Sequence, residues 1–198
     1  MVKTNKLSIE MLENLLAFKY LENSYKIFWV KGILQEIEEG NKETTFNRLG
    51  LRMIVEAWDF VVNKNISFGR KDRMYRIIGE LRDVWGIQED LGKEELLETL
   101  GYLPDIEDII DDLYEDTPYR LFEAIYEKKL KGKKESVKNE LLKESANADP
   151  NALYQITDEK SIKVNEVWVR YIKSNKEAVE GWIHDRLCYF LDERAMKQ

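Results

Sequence analysis

Residues 24–34 read SYKIFWVKGIL, and this stretch decides the fold that the sequence predicts. Placed on a helix at about 100° per residue, it carries two apolar stripes side by side. They consist of Tyr25, Phe28, Trp29, Gly32, Ile33 and Ile37, and of Ile27, Val30 and Leu34. The polar strip consists of Lys31, Gln35 and Glu38. A helix that is apolar on most of its circumference must be covered on several sides, so we expect the central helix of a helical domain.

Helical periodicity continues along most of the chain. It predicts helices at about residues 8–21, 25–39, 46–63, 72–85, 93–100, 119–129 and 135–144, and others that begin near residues 105, 166 and 176. Ser24 is placed to cap the central helix and Gly40-Asn41 to end it, and Thr45 is placed to cap the next helix. The period changes at residues 152–164, where two short runs around a turn at 157–160 predict a β-hairpin. We expect a mainly α, multi-helix globular domain in which this one small hairpin lies against the helices, with no second sheet.

The composition limits the domain organisation and the compartment. The chain has 198 residues, 43% of them hydrophobic, which is enough for one domain spanning residues 1–198. A subdivision is also open: an N-terminal helical core at 1–86, an acidic and lysine-rich helical insert at 87–151, and a hairpin with two C-terminal helices at 152–198. Since the chain has one Cys, no apolar run of membrane-spanning length and no signal-peptide pattern, we expect a cytoplasmic protein without membrane contact.

Acidic residues are concentrated in one part of the chain. Residues 86–116 hold twelve Asp and Glu and one Lys, a net charge of −11, while the whole chain has −7 and the remainder therefore +4. One interpretation is a solvated helix face, and the other is an acidic surface that meets a basic partner or mimics nucleic acid. The partner-binding candidates are Asp108, Asp111, Asp112 and Glu115. A regular apolar face opposite them, with no His or Asn among them, favours a solvated face over metal ligation.

Basic residues are concentrated at residues 128–134, which read KKLKGKK. Such a run is typical of a solvated loop, and the alternative is a patch that contacts phosphates. The candidates for nucleic-acid binding are Lys128, Lys129, Lys131, Lys133, Lys134, Arg70, Lys71 and Arg73.

Catalytic chemistry has little support in the sequence. His184 and Cys188 are four residues apart on the last predicted helix, a spacing that two metal ligands can use. The chain has no second His or Cys to complete a tetrahedral zinc site, so a partly buried structural pair is favoured. The glycine-rich phosphate-binding motifs and the Gly-x-Ser-x-Gly motif are absent from the sequence. The sequence predicts a non-catalytic chain with no metal site and no cofactor.

Several strings resemble one known family. Residues 23–34, NSYKIFWVKGIL, resemble the opening segment N-S-Y-K-x-x-W-x-x-A-I-L of a family of bacterial and phage HNH endonuclease proteins. Further landmarks follow in the family's order over nearly the whole chain. They are Met53-Ile54, Ala57-Trp58, Ser67-Phe68-Gly69, Asp72, residues 118–122 (PYRLF), 153–156 (LYQI), 162–165 (IKVN), Trp168, Tyr171-Ile172, Asn175, and 189–191 (YFL) with Arg194.

The resemblance implies a non-catalytic N-terminal domain. In such proteins the HNH nuclease, a ββα-metal module, follows the closing helices, and this chain ends at Gln198 where that module would begin. No catalytic residue of the family is carried over. The resemblance implies a phage, prophage or defence-related protein that stands alone or is separated from its nuclease.

Two functions follow from these observations. The first is a recognition or regulatory module of an HNH nuclease system, which contacts DNA or a nuclease partner through the basic candidates. The second is an acidic interaction factor, an inhibitor or decoy that binds a basic protein without nucleic acid. Neither function specifies an oligomeric state. A measurement of salt-dependent DNA binding distinguishes the two functions, because only the first includes contact with DNA.

Overall fold

The fold is mainly α, as the periodicity predicts, and it contains a small antiparallel sheet. The structure is a computed structural model and describes residues 9–157 and 160–195. The α-helices are α1 Ile9–Leu15, α2 Tyr25–Glu38, α3 Phe46–Val62, α4 Met74–Asp83, α5 Lys93–Gly101, α6 Ile106–Tyr114, α7 Thr117–Arg120, α8 Glu127–Leu130, α9 Lys138–Ala148, α10 Glu166–Ser174 and α11 Lys176–Ala195. The strands are β1 Glu43–Thr45, β2 Tyr154–Ile156 and β3 Ser161–Val164, and short 3-10 turns cover Phe18–Tyr20 and Glu135–Val137. The expected helix start at Ser8 and the turn residues Asp158 and Glu159 lie outside the described residues.

Helix α2 is the central helix of the fold. Eleven of its fourteen residues are buried, and its most extensive packing is against α3. Its end is as predicted: Gly40 has φ +92°, and the N–H of Asn41 donates to Glu36 O at 2.8 Å. Its start differs from the prediction, because the Ser24 side chain makes no capping bond. The Ser24 N–H instead donates to the Asp72 carboxylate, which lies far away in the sequence.

The sheet has a third strand that the sequence analysis misses. The strand order is β1-β3-β2, with both pairs antiparallel and with Thr44 opposite Ile162 and Gln155 opposite Lys163. The hairpin of β2 and β3 is confirmed, but it does not stand alone. Strand β1 has only three residues and one buried side chain, that of Thr44, so its sequence has no period to detect.

Two predicted helices are shorter in the structure than the periodicity predicts. The expected helix at 119–129 ends at Arg120, and a new turn of helix starts at Glu127. Between them, the Phe122 ring packs edge-on against Tyr154, with centroids 4.9 Å apart. The periodicity predicts that the first helix continues to residue 21, but the helix ends at Leu15. Local periodicity is similar in both segments, so tertiary packing decides where these helices end.

The core is continuous across the three segments that the sequence distinguishes. Helices α5 and α6 pack on α3, α11 packs on α2, and β1 pairs with β3. At its centre, fully buried Trp29 donates its Nε1–H to the Tyr154 hydroxyl at 3.2 Å, and that hydroxyl donates to Pro118 O at 2.7 Å. Within residues 9–157 and 160–195, no helix is both long and apolar enough to cross a membrane.

Candidate functional site

The interface of α2 and α3 contains a buried ionic cluster. Arg52 is fully buried, and its Nε donates to Glu36 Oε1 at 2.8 Å. Glu36 also accepts from Arg48 Nε at 2.7 Å. Arg52 further pairs with Glu39 and Glu94. Because each charge of the cluster faces an opposite one, we interpret the cluster as a structural contact that orients α3 on α2.

A second buried carboxylate, that of Glu56 on α3, lies between two lysines. The Lys31 ammonium is 3.0 Å from Glu56 Oε2, and the Lys93 ammonium is 2.6 Å from Oε1. Burial by itself would raise the pKa of Glu56, but the two ammonium groups outweigh it and hold this pKa below its ordinary value. A cavity of about 180 Å³ beside this triad is also lined by Glu180 and His184. Lys31 is therefore more than a solvated residue on the polar strip of α2, because it neutralises the buried Glu56 carboxylate.

The lysine loop, residues 128–134, is exposed, and part of it is helical. Lys128 and Lys129 belong to α8. Lys129 donates to the Ser145 hydroxyl at 2.9 Å and lies over the Tyr126 ring. Among the described residues, no ion pair engages the other four, which are Lys128, Lys131, Lys133 and Lys134. These four ammonium groups are free to meet phosphates.

The second group of basic candidates is divided by an ion pair. Arg70 and Lys71 are exposed and have no ion pair within the described parts of the chain. Arg73 pairs with Asp112 of α6, and its N–H donates to the Tyr25 hydroxyl at 2.9 Å. Arg73, a candidate for nucleic-acid binding, and Asp112, a candidate for partner binding, thus neutralise each other's charge. Arg73 and Asp112 therefore differ from the other candidates in having a counter-ion within the chain.

A polar groove of about 630 Å³ is lined by residues that precede and begin α2, by the end of α6, and by α7. Its lining includes Asp112, the partner of Arg73, and Glu135, which directly follows the lysine loop. Inside the groove, Lys26 pairs with Glu123 at 2.8 Å. Burial lowers the pKa of Lys26, and Glu123 opposes this shift. The groove lining carries six carboxylates and four cations, so the groove itself is not a positive surface, and none of the basic candidates lines it.

The acidic candidates on α6 face two different grooves. Asp112 and Glu115 line the polar groove, while Asp108 and Asp111 line a larger groove between α5, α6 and the start of α3. The sequence predicts one solvated helix face that carries all four carboxylates. In the structure, two of them line each groove.

The larger groove, called the acidic groove below, has a volume of about 950 Å³. Its carboxylates are those of Glu94, Glu98, Glu107, Asp108 and Asp111. Burial, followed by the charges of Asp111, Glu107 and Asp108, raises the pKa of the Tyr114 hydroxyl at its wall to about 12. The sequence analysis misses Glu94, Glu98 and Glu107. The one-turn spacing of Glu94 and Glu98 is visible in the sequence, but only the packing of both α5 and α6 on α3 brings these residues and Glu107 to one groove.

His184 and Cys188 are close but form no closed site. The Cys188 Sγ lies 3.5 Å from the His184 Nε2, and both residues are exposed, so the expectation of a partly buried pair is wrong. Within the part of the chain that the structure describes, no three His, Cys, Asp or Glu side chains converge as metal ligands.

Comparisons with protein-family models, with curated proteins and with solved structures find no match to this chain.

Proposed function

We propose that this chain is a non-catalytic recognition module, related to HNH endonuclease proteins of phage or bacterial defence systems, that contacts DNA phosphates. One observation carries the proposal. Six exposed cations in two segments have no counter-ion among the described residues, although the net charge of the chain is −7. They are Arg70, Lys71, Lys128, Lys131, Lys133 and Lys134.

The arrangement of these cations supports phosphate contact. Several other exposed lysines are paired, for example Lys42 with Glu166 and Lys163 with Glu43. A paired lysine must give up its carboxylate before it binds a phosphate, whereas an unpaired lysine only releases solvent and counter-ions. The resemblance of residues 23–34 to the HNH family supports DNA as the polyanion.

The direct test is DNA binding measured by fluorescence anisotropy against salt concentration. The loop variant replaces Lys128, Lys131, Lys133 and Lys134 by Gln. It leaves Lys129, which is bonded to Ser145, in place. We expect weaker binding and a shallower salt dependence, by about 0.9 log unit per log unit of salt for each phosphate that the loop no longer neutralises.

A matched control separates specific contact from net charge. Replacing Lys42, Lys64, Lys163 and Lys176 by Gln makes the same change in charge at exposed lysines that are paired with carboxylates. This control should bind DNA nearly as the unmodified chain does. Equal losses in the two variants, or no DNA binding at low salt, would contradict the proposal.

The second candidate function is an acidic interaction factor that acts without nucleic acid. Asp108 and Asp111 favour it, because both line the acidic groove and have no cationic partner among the described residues. Absence of DNA binding, together with capture of a basic protein, would favour this function over the first.

A further inference from the structure

The acidic groove has an apolar floor. Four side chains that line it are largely buried in the core and present only their edges: Phe46, Leu51, Leu97 and Tyr114. Tyr102 also lines the groove, and 80% of its surface is exposed. A large aromatic side chain so exposed beside an apolar floor is a typical anchor for a protein partner.

Carboxylates line both rims of this groove at helical spacing. Glu94 and Glu98 are one turn apart on α5, and Glu107 and Asp111 are one turn apart on α6. Residues one turn apart present their side chains about 5–6 Å from each other. The two rims thus form two rows of negative charge with matching periods.

Five carboxylates and two cations, Arg48 and Lys160, line this groove, so its lining is net negative although Glu94 also pairs with Arg52. Arg48 lines the groove, but its guanidinium is bonded to Glu36 and Glu39. Among the described residues, Glu98 and Asp111 have no ion pair with any cation. The lining therefore has a net negative charge, which repels a phosphate backbone and attracts Lys and Arg.

We propose that the acidic groove binds a basic amphipathic helix of a partner protein. The apolar face of that helix packs on the floor and on Tyr102, and its Lys and Arg side chains, one turn apart, pair with the two rims. This inference gives the second candidate function a specified partner class. It does not depend on DNA contact, because none of the six unpaired cations lines the acidic groove.

The test uses defined peptides and the full chain. The first probe is a fluorescein-labelled peptide of Leu and Lys, of about 18 residues or five helical turns, whose leucines lie on one helix face. The second has the same composition in scrambled order, so it has equal charge but no apolar face. We expect the amphipathic peptide to bind at least about tenfold more tightly than the scrambled peptide.

Paired charge reversals locate the binding. The groove variant Glu98→Lys/Asp108→Lys reverses two charges that line the groove. The control variant Glu95→Lys/Glu115→Lys makes the same change in net charge outside the groove, at one residue of α5 and at the residue that follows α6. We expect the groove variant to bind the amphipathic peptide about tenfold more weakly and the control variant to stay within about twofold. Circular dichroism must show that both are folded. Tyr102→Ala changes an exposed side chain and should weaken binding by about threefold or more in a chain that stays folded.

Three results would overturn this proposal. They are no binding of the amphipathic peptide, equal binding of the scrambled peptide, and equal losses in the groove and control variants. The Lys→Gln loop variant separates this proposal from DNA contact, because it should lose DNA binding and keep peptide binding. Failure of DNA binding alone thus leaves the peptide result valid.

Discussion

The carboxylate of Asp72 accepts the backbone N–H of Ser24 at 2.7 Å, although 48 residues separate them. Its other oxygen accepts the N–H of Met74 at 3.0 Å. One buried side chain thus caps the starts of both α2 and α4. Burial raises the pKa of Asp72 even though both N–H groups favour its charged form. We infer that the position of α2 depends on the loop before α4.

Asp72→Ala should lower the free energy of unfolding by about 2–3 kcal/mol, because two buried N–H groups lose their acceptor. Asp72→Asn keeps one acceptor oxygen and should have a smaller effect. Urea denaturation measures both values. An unchanged midpoint for Asp72→Ala would show that the shared cap contributes nothing.

Trp29→Ala should cost about 3–5 kcal/mol of unfolding free energy, because it empties a large aromatic site at the centre of the core. Gln35→Ala, on the polar strip of the same helix, should cost less than about 0.5 kcal/mol. The sequence alone offers Lys31→Ala as this control, but Lys31 is a counter-ion of buried Glu56. Similar denaturation midpoints for Trp29→Ala and Gln35→Ala would contradict the central position of α2.

Gly50→Ala should destabilise the protein by about 1–3 kcal/mol. A Cβ at this position of α3 would lie 2.5 Å from Tyr114 Cδ1 on α6, too close for any real contact. Gly79→Ala is the matched control in α4, where a Cβ meets no atom within 4 Å. There the higher helix propensity of Ala should raise stability by up to about 1 kcal/mol. Thermal unfolding of the two variants should show shifts of opposite sign.

Glu56→Gln should lower stability by about 1–3 kcal/mol at pH 7, because it removes the charge shared by Lys31 and Lys93. The pKa of Glu56 is lower in the folded protein than its ordinary value of 4.5, so its charge stabilises the fold above pH 4.5. This contribution is lost as pH falls from 4.5 through the lower folded value. The stability difference between the unmodified chain and Glu56→Gln should therefore shrink over that range. A difference independent of pH would contradict the ionic role of Glu56.

The purified chain should not cut DNA with Mg²⁺, Mn²⁺ or Zn²⁺. Metal-dependent hydrolysis needs several ligands and a base, and the only His of the sequence is His184. A plasmid-cleavage assay over repeated purifications tests this expectation. Cleavage that survives purification and disappears in His184→Ala would contradict it.

The sequence by itself determined the mainly α class, the central helix and the hairpin. Those features depend on local periods and on turn residues such as Gly40 and Thr45, which act within a few residues of the chain. The sequence also located the charge concentrations, because net charge is additive along a chain. It did not determine which of those charges stay free.

Tertiary structure alone decided the pairing of Arg73 with Asp112, the burial of Glu56 between Lys31 and Lys93, and the addition of β1 to the sheet. It also decided that α5 and α6 face each other across one groove. The physical reason is the same in each case. A salt bridge, a buried counter-ion or a strand pair depends on distances between residues that are far apart in sequence, and a local pattern contains no information about those distances.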